Sequence, residues 1–247
     1  MVLGCRLNIR QISYNYKDFA KQAFKMVVDI DRNELNKPTL DIQLPIHGHV
    51  KDVMRDMISK DYAQTDDQKR WLAWCRDINV KYPATLPSYY DQAKPMNPYA
   101  FITEMSKALE EGDDVICGNG AACVMTFQAM NIKPNQRLFT NSGCAAMGYG
   151  FPAALGAAVA NGKKRTICVD GDGSFQMNMQ ELQTVWYNHL NLKIVYLNNN
   201  GYHSIRQTQT NLFKSDLIGV SDGNGISFPD MEKISAAYGI PYVRIDD

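Results

Sequence analysis

An apolar strand that runs directly into a Gly-Asp-Gly turn and then into a helical pattern restricts the fold of this chain most. The strand is predicted at 166–169, and the turn follows at 170–174. Apolar side chains then recur at helical spacing, as Phe175, Met179, Leu182 and Trp186. Strands that alternate with helices form parallel sheets, which bind ligands at the carboxyl ends of their strands. The sequence therefore predicts an α/β fold with parallel sheets flanked by helices, and a ligand site at this turn.

The same alternation runs through most of the chain. Strands are predicted at 1–3, 25–30, 115–117, 193–197 and 242–245, and helices after Asp31 and at 97–111, 150–160, 175–190 and 230–238. Prolines interrupt the segment between the two groups of elements, which favours a linker with one helix. We expect part of a nucleotide-binding-like domain at 1–60, a linker at 61–96 and a second α/β domain at 97–247. Because the chain begins within a strand and stops directly after one, we expect both domains to be incomplete.

Composition excludes several classes of partner. The 247 residues contain 26 Lys and Arg against 26 Asp and Glu, without long runs of like charge. This balance argues against nucleic acid and membrane surfaces, and the longest uncharged small apolar stretch, at 151–160, is too short to span a bilayer. The six cysteines lack zinc-site spacing, and we interpret them as reduced core thiols. We therefore expect a cytoplasmic protein with a small polar ligand.

The Gly-Asp-Gly turn has the properties of a combined anion and cation site. Backbone N–H groups of Gly173 and Ser174, at a helix start, would bind an anion. The carboxylate of Asp172 would repel that anion unless a cation lay between them. Asn199 follows the next strand, 27 residues later, so that it reaches the same sheet edge. Carboxylate and amide oxygens completed by phosphate oxygens are typical of Mg²⁺, whereas ordinary tight turns are the alternative for either motif alone.

These residues resemble the signature of thiamine diphosphate-dependent enzymes, which runs here from Gly171-Asp172-Gly173 to Asn198-Asn199. Further segments resemble the acetolactate synthase-like group of that family: Asn97-Pro98-Tyr99, Gly118-Asn119-Gly120, 143–152 and 170–201. Residues 1–50 resemble the end of that group's central domain. Nearly the whole chain is covered. The resemblance implies thiamine diphosphate and Mg²⁺ as cofactors, and a homodimer or tetramer as the assembly.

Roles follow from the resemblance by position. It implies that Asp172 and Asn199 bind Mg²⁺ through their side chains and Gly201 through its carbonyl. The implied contacts with the cofactor come from Gly118, Asn119, Ala145, Met147, Gly173, Ser174 and Tyr202. Met147 matches the bulky apolar residue that holds the cofactor bent, and Ala145 would offer its carbonyl to the aminopyrimidine. An ordinary core methionine is the alternative interpretation of Met147.

The substrate side of the site is carried by fewer residues. The resemblance places Arg10 where a substrate carboxylate binds, and Ile205 beside the substrate. His203 is a candidate for proton transfer. A surface arginine and an ordinary loop histidine are the alternatives for Arg10 and His203. The resemblance also makes FAD a possible further cofactor. Arg6 and the strand end at 29–31 match positions where that group binds an FAD or ADP moiety.

The implied reaction is decarboxylation of a 2-keto acid, with transfer of the resulting carbanion to a carbonyl acceptor. Thr208 stands where acetohydroxyacid synthases carry a tryptophan that selects the second keto acid, so the donor and acceptor stay open. A simple 2-keto acid decarboxylase and a non-catalytic cofactor-binding or assembly module are the alternatives. The family's activating glutamate belongs to a domain outside this chain, and we therefore expect the chain alone to be inactive.

Overall fold

The computed structural model describes residues 1–91, 94–214 and 216–246, apart from the side chain of Arg10. The chain forms two compact units, Met1–Lys81 and Tyr82–Asp247. Both contain a parallel sheet with helices, which confirms the predicted α/β class. The division between the units falls inside the segment that was predicted as a linker, and the domain boundaries themselves stay a prediction.

The first unit contains a three-stranded parallel sheet in the order β1-β2-β3. Its strands are β1 (Val2–Leu3), β2 (Met26–Asp29) and β3 (Leu44–His47). Its helices are α1 (Ile9–Ile12), α2 (Arg32–Asn36), α3 (Val50–Ile58) and α4 (Asp66–Lys81), with a short 3-10 turn at Tyr16–Asp18. The central strand carries the buried core residues Val27 and Val28. The side chain of Asp31 caps α2 by accepting a hydrogen bond from the N–H of Asn33, as its position before the predicted helix suggested.

The second unit contains a four-stranded parallel sheet in the order β5-β4-β6-β7. Its strands are β4 (Asp114–Cys117), β5 (Arg137–Phe139), β6 (Thr166–Gly171) and β7 (Leu192–Leu197). Its helices are α5 (Pro98–Ala108), α6 (Gly120–Ala129), α7 (Gly150–Ala160), α8 (Asp172–Phe175), α9 (Leu182–Tyr187), α10 (His203–Thr208) and α11 (Met231–Ala237). Short 3-10 segments lie at Pro87–Tyr89 and Gln176–Glu181, and a π-helical turn lies at Gln209–Phe213.

Apolar clusters lie on both faces of this sheet, because its central strands are buried on both sides. One cluster joins Ile116 and Cys168 of the strands to residues of α7, α8 and α9, among them Phe151 and Phe175. The other joins Val115 and Ile167 to residues of α5 and α6. Such continuous apolar strands are typical of a parallel sheet that is covered by helices on both faces.

The prediction of one continuous helix at 175–190 is wrong. The segment instead consists of α8, a 3-10 stretch and α9, because Asn178 has non-helical backbone angles of φ −133° and ψ 26°. Its side-chain Nδ2 donates to the carbonyl of Gly148 at 2.7 Å, which ties the break to a neighbouring loop. Phe175 and Leu182 are buried as predicted, whereas Trp186 is 50% exposed. The break rotates the end of the predicted apolar stripe away from the sheet.

Other expectations also need correction. No strand forms at 242–245, where the described residues are exposed and have no ladder partner. The predicted helix at 97–111 ends at Ala108, because Leu109 turns to an extended backbone and packs into the core. Sequence patterns did not predict α1, β3, α3, α6, β5 or α10. All six cysteines are free, but only Cys117 and Cys168 are buried.

Within the part of the chain that the structure describes, no helix combines the length and the apolar character that crossing a membrane requires.

Candidate functional site

The site lies at the carboxyl edge of the second sheet, where the ends of three parallel strands meet. The turn 118–120 follows β4, the turn 170–174 ends β6, and the turn 198–201 follows β7. Because β4, β6 and β7 are parallel and adjacent, their following turns come to the same edge. The sequence-based expectation that these motifs share one edge agrees with this sheet order.

Asp172 connects the Gly-Asp-Gly turn to the turn that follows β7. Its side chain is buried, with the residue only 1% exposed. Oδ2 accepts hydrogen bonds from the N–H groups of Asn199 and Gly201, at 3.1 and 3.0 Å. Oδ1 accepts from the N–H of Gly173 at 2.7 Å. The carboxylate thus holds the two turns in register.

Asn199 carries a buried oxygen that lacks a partner. Its side-chain Oδ1 is buried and has no hydrogen-bond partner among the described residues. A buried polar oxygen without a partner is unfavourable by about 1–3 kcal/mol, so this atom is suited to a ligand that compensates it. The backbone N–H of the same residue donates to the carboxylate of Asp172, as does the N–H of Gly201, where the turn ends. The amide oxygen of Asn199 and the carboxylate of Asp172 are the kinds of oxygen ligand that fit a hard cation such as Mg²⁺.

The set differs from a metal site made by protein side chains alone. Among the residues that the structure describes, no group of three or more His, Cys, Asp or Glu side chains could hold a metal ion. Mg²⁺ commonly binds through one or two protein oxygens together with phosphate oxygens and water. The donor set is therefore consistent with a metal that arrives with a phosphorylated ligand.

The two glycines of the Gly-Asp-Gly turn differ in the space that surrounds them. A Cβ atom at Gly173 would lie 2.6 Å from Cδ1 of Tyr202 and closer still to Cε1, so the tyrosine ring occupies the space that a side chain would need. A Cβ atom at Gly171 would meet nothing within 4 Å. The absent side chain at Gly173 thus lets the Tyr202 ring pack against the start of α8.

The loop that contains Met147 is tied to the same turn. The N–H of Gly148 donates to Oγ of buried Ser174 at 2.9 Å. The carbonyl of Gly148 accepts from Asn178, as described above. Met147 is half-buried, and Ala145 has a left-handed φ of 53° while its N–H donates to the carbonyl of Asn141 at 2.8 Å. Both predicted cofactor-contacting residues therefore lie on a loop anchored beside the Gly-Asp-Gly turn.

In the turn after β4, hydrogen bonds fix the backbone of Gly118, whereas the side chain of Asn119 makes no capping hydrogen bond. The N–H of Gly118 donates to the carbonyl of Val169 at 2.8 Å, and its carbonyl accepts from Oγ1 of Thr140 at 3.0 Å. Asn119 precedes α6 as its N-cap residue, but its side chain makes no capping hydrogen bond. The geometry leaves the Asn119 side chain available for another partner.

Asp170 is a site residue that the sequence analysis missed. It is fully buried at the end of β6. Oδ1 accepts from the N–H of Gly171 at 3.0 Å, and Oδ2 has no hydrogen-bond partner among the described residues. Burial raises the pKa of Asp170 to about 6. A charged residue at the end of an otherwise apolar strand is the sequence signal that could have identified it.

A cleft of about 260 Å³ opens beside Gly173. It is lined by Gly173, Gln176, Met177, Tyr202, Ile226, Ser227 and Phe228. The rings of Tyr202 and Phe228 meet edge to face, with centroids 6.1 Å apart. The cleft thus combines an aromatic wall with the start of α8, which carries the Gly-Asp-Gly turn.

The remaining predicted residues have different positions. His203 is exposed at the first position of α10, where its backbone N–H donates to the carbonyl of Gly201 at 3.1 Å. Ile205 lies on the same helix and is 44% exposed. Arg10 lies in α1 of the first unit, but its side chain is outside the described residues, so its role stays a prediction.

The side chains at the positions predicted for FAD contact other residues of the first unit in this structure. Nε of Arg6 lies 3.0 Å from the Glu34 carboxylate. Asp29 is buried, and its Oδ1 accepts from the N–H of Asp31 at 2.9 Å. Flavin binding at these residues stays a prediction.

Comparisons with known proteins place the site in a family context. Residues 118–247 match the family model described as thiamine pyrophosphate enzyme, C-terminal TPP binding domain. Over 97% of its length the chain is 30% identical to acetolactate synthase isozyme 1 large subunit of Escherichia coli strain K12, of which it covers 41%. It is 31% identical, over 99% of its length, to acetolactate synthase large subunit of Cyanidium caldarium, of which it also covers 41%.

A plant relative has the same relation to the chain. Over 99% of its length the chain is 28% identical to chloroplastic acetolactate synthase 1 of Nicotiana tabacum, of which it covers 37%. The chain thus spans about two fifths of the length of the curated relatives it matches.

Proposed function

Because this chain belongs to the thiamine pyrophosphate enzyme family and carries its C-terminal TPP binding domain, we propose that it binds the diphosphate of the cofactor together with Mg²⁺. The observation that carries the proposal is the pair formed by Asp172 and Asn199. A buried carboxylate holds the turn in which a buried amide oxygen has no hydrogen-bond partner within the described parts of the chain. These two oxygens supply the protein side of a magnesium diphosphate site.

The proposed ligands divide between metal and diphosphate. Oxygens of Asp172 and Asn199, with the carbonyl of Gly201, would hold Mg²⁺. N–H groups of Gly173 and Ser174 would bind the diphosphate from one side, and Gly118 with Asn119 from the other. The cation lets a buried carboxylate and a diphosphate share one sheet edge, because it compensates both negative charges.

Two further residues would orient the organic part of the cofactor. Met147 would support the cofactor in its bent form from the loop that Ser174 and Asn178 anchor. Ala145 would accept a hydrogen bond from the aminopyrimidine through its carbonyl. When bound, thiamine diphosphate supplies an electron sink for the cleavage of carbon-carbon bonds next to a carbonyl group. The contribution of Met147 and Ala145 is therefore positional, since they fix the orientation in which that chemistry proceeds.

The proposed reaction is that of an acetolactate synthase-like enzyme. A 2-keto acid loses carbon dioxide, and the remaining carbon unit is transferred to a carbonyl acceptor. The names of the relatives, all acetolactate synthases, support this reaction class. His203 would move a proton, and Arg10 and Ile205 would contact the substrate. Tyr202 and the cleft beside Gly173 lie next to the proposed diphosphate position.

Assembly and activity form a separate part of the proposal. We propose a homodimer or tetramer, in keeping with the family resemblance. That resemblance assigns the activating glutamate to a domain outside these 247 residues. The chain alone is therefore expected to bind cofactor without turning over pyruvate, and steady release of carbon dioxide by the purified chain would contradict this expectation.

Calorimetric titration with thiamine diphosphate tests the proposed site. The titration is run with and without Mg²⁺ on the wild type, Asp172→Ala and the matched control Asp222→Ala, whose exposed aspartate accepts from the N–H of Gly223 and is not a proposed ligand. Magnesium-dependent heat is expected for the wild type and for Asp222→Ala, and is expected to be lost in Asp172→Ala. Absence of that heat in the wild type, or its retention in Asp172→Ala, would contradict the proposal.

A further inference from the structure

The guanidinium group of Arg206 donates hydrogen bonds to the turn that contains two of the proposed metal ligands. Nη1 donates to the carbonyl of Asn200 at 3.1 Å, and Nη2 donates to the carbonyl of Asn199 at 3.0 Å. Arg206 lies on α10, where its backbone N–H donates to the carbonyl of Tyr202 at 2.9 Å. The half-buried side chain thus reaches back from the helix to the loop that precedes it. Its planar fork contacts two successive carbonyls at once.

This turn has a backbone that needs support. Asn200 has a left-handed φ of 55°, and Gly201 has a φ of 143°. A Cβ atom at Gly201 would lie 3.0 Å from the carbonyl carbon of Val220 and closer still to its oxygen, so only glycine fits there. Asparagine tolerates a left-handed conformation better than most residues, but such a conformation still costs more than in glycine and persists where surrounding contacts fix it.

Opposite charges hold the two sides of the turn. On one side, the carboxylate of Asp172 accepts from the N–H groups of Asn199 and Gly201. On the other side, Arg206 donates to the carbonyls of Asn199 and Asn200. These contacts engage the backbone groups of Asn199, whereas its side-chain Oδ1 has no partner in the described part of the chain. The arrangement decides which oxygens of the turn are presented to a ligand.

We propose that Arg206 is a positioning residue, which fixes the 199–201 turn in the geometry that Mg²⁺ requires. The inference rests on the proposed function, since it concerns the same metal site. Mg²⁺ demands near-ideal octahedral geometry at 2.0–2.1 Å, whereas Ca²⁺ accepts flexible geometry at 2.3–2.6 Å. A turn that loses its clamp therefore loses Mg²⁺ affinity more than Ca²⁺ affinity. Groups that orient metal ligands typically account for about 10- to 100-fold in metal affinity.

The test compares the two ions by calorimetry in the presence of saturating thiamine diphosphate. Mg²⁺ and Ca²⁺ are titrated separately into the wild type, Arg206→Met, Arg206→Lys and the control Arg244→Met. Arg244 pairs with Asp246 at the exposed end of the chain, so its replacement removes an arginine without touching the turn. Circular dichroism of each variant verifies that the fold is retained.

The expected result is a shift in ion selectivity. Arg206→Met should raise the Mg²⁺ dissociation constant about tenfold or more and the Ca²⁺ constant by a smaller factor. Arg206→Lys should give an intermediate shift, because an ammonium group does not reproduce the two-pronged contact. It also keeps the test valid should the methionine variant fail to fold. Arg244→Met should match the wild type.

Two results would overturn the inference, and a third would overturn its premise. Unchanged Mg²⁺ affinity in both Arg206 variants would show that the clamp does not position the ligands. An equal loss of Mg²⁺ and Ca²⁺ affinity would indicate a merely structural role. No magnesium-dependent binding in the wild type would overturn the proposed function, and the inference with it.

Discussion

A Cβ atom at Gly118 would lie 2.5 Å from Cγ of Asp170, and closer still to its Oδ1. The turn after β4 and the end of β6 can therefore approach each other only because residue 118 has no side chain. Gly150 packs against the same carboxylate from the start of α7, where a Cβ atom would lie 2.7 Å from Oδ2. Asp170 thus lies in a cradle of two glycines at the floor of the site.

This contact predicts a loss of stability in Gly118→Ala. The added methyl group has to displace the buried Asp170 carboxylate or the backbone, which should lower the free energy of unfolding by about 1–3 kcal/mol. Gly156→Ala is the matched control, since Gly156 lies within α7 and a Cβ atom there meets nothing within 4 Å. That control should raise the free energy of unfolding by about 0.5–1 kcal/mol. Urea denaturation measures both, and equal effects would contradict the prediction.

The contact between Gly173 and Tyr202 predicts an interaction that a double-mutant cycle can detect. Gly173→Ala should destabilise the wild type, because the new methyl group overlaps the tyrosine ring. In a Tyr202→Ala background the same change should be milder, with a coupling energy of about 1 kcal/mol. Gly171→Ala should be nearly neutral in both backgrounds, since a Cβ atom there meets nothing within 4 Å. Additive effects of Gly173→Ala and Tyr202→Ala in urea denaturation would refute the prediction.

Burial of Asp170 predicts a pH-dependent stability. Burial raises its pKa to about 6, against an ordinary value of 3.8. Between these values the folded protein keeps a proton that the unfolded chain has lost, so the free energy of unfolding falls as pH rises through this window. The decrease should be about 3 kcal/mol and complete above the folded-state pKa. Below pH 3.8 the carboxyl group is protonated in both states, and no such penalty remains.

Asp170→Asn tests this contribution, because an amide does not titrate. Its free energy of unfolding, relative to wild type, should increase by about 3 kcal/mol between about pH 4 and pH 7.5. The measurement uses urea denaturation without divalent cations, and Asp222→Asn controls for the loss of an exposed aspartate. Parallel pH profiles for the wild type and Asp170→Asn would show that the buried carboxyl group does not titrate in this window.

The unpaired amide of Asn199 predicts that stability and binding respond differently to one substitution. Without metal, Asn199→Ala should change the free energy of unfolding little, because Oδ1 has no hydrogen-bond partner among the residues that the structure describes. Asp172→Ala should lower it by about 3 kcal/mol or more, since three buried or half-buried N–H groups lose their acceptor. Both variants should lose magnesium-dependent binding of thiamine diphosphate. Urea denaturation and calorimetry measure the two quantities, and a stability loss in Asn199→Ala as large as that in Asp172→Ala would contradict this interpretation.

Local patterns in the sequence were sufficient for the elements that recur with clear periodicity. The helix at 150–160 was predicted with the bounds that α7 has, because uncharged and mostly small apolar residues continue without interruption up to Asn161. The meeting of Asp172 and Asn199 also followed from sequence, since strands separated by a helix run parallel and bring their following turns to one edge. Periodicity and connection length are local properties, and a single chain displays them directly.

Tertiary contacts decided the elements in which local preference competes with packing. Residues 242–245 have an apolar strand-like pattern but find no neighbouring strand among the described residues, and a strand without a ladder partner leaves its backbone groups unpaired. β3 was missed because Pro45 interrupts its pattern, although a proline is tolerated on the edge strand that it forms. The side chain of Asn178 bonds to Gly148 across the site and breaks the predicted long helix.

The sequence by itself predicted that the Gly-Asp-Gly turn and the Asn199 turn come to the sheet edge, and its resemblance to the family added the Gly118 turn. Only the tertiary structure decided how they are held there. The cradle of Asp170, the Tyr202 ring against Gly173 and the clamp of Arg206 all join residues from separate turns or helices. These contacts depend on distances through space, which no spacing along the chain encodes, because burial and backbone conformation are set by the packing of the whole unit.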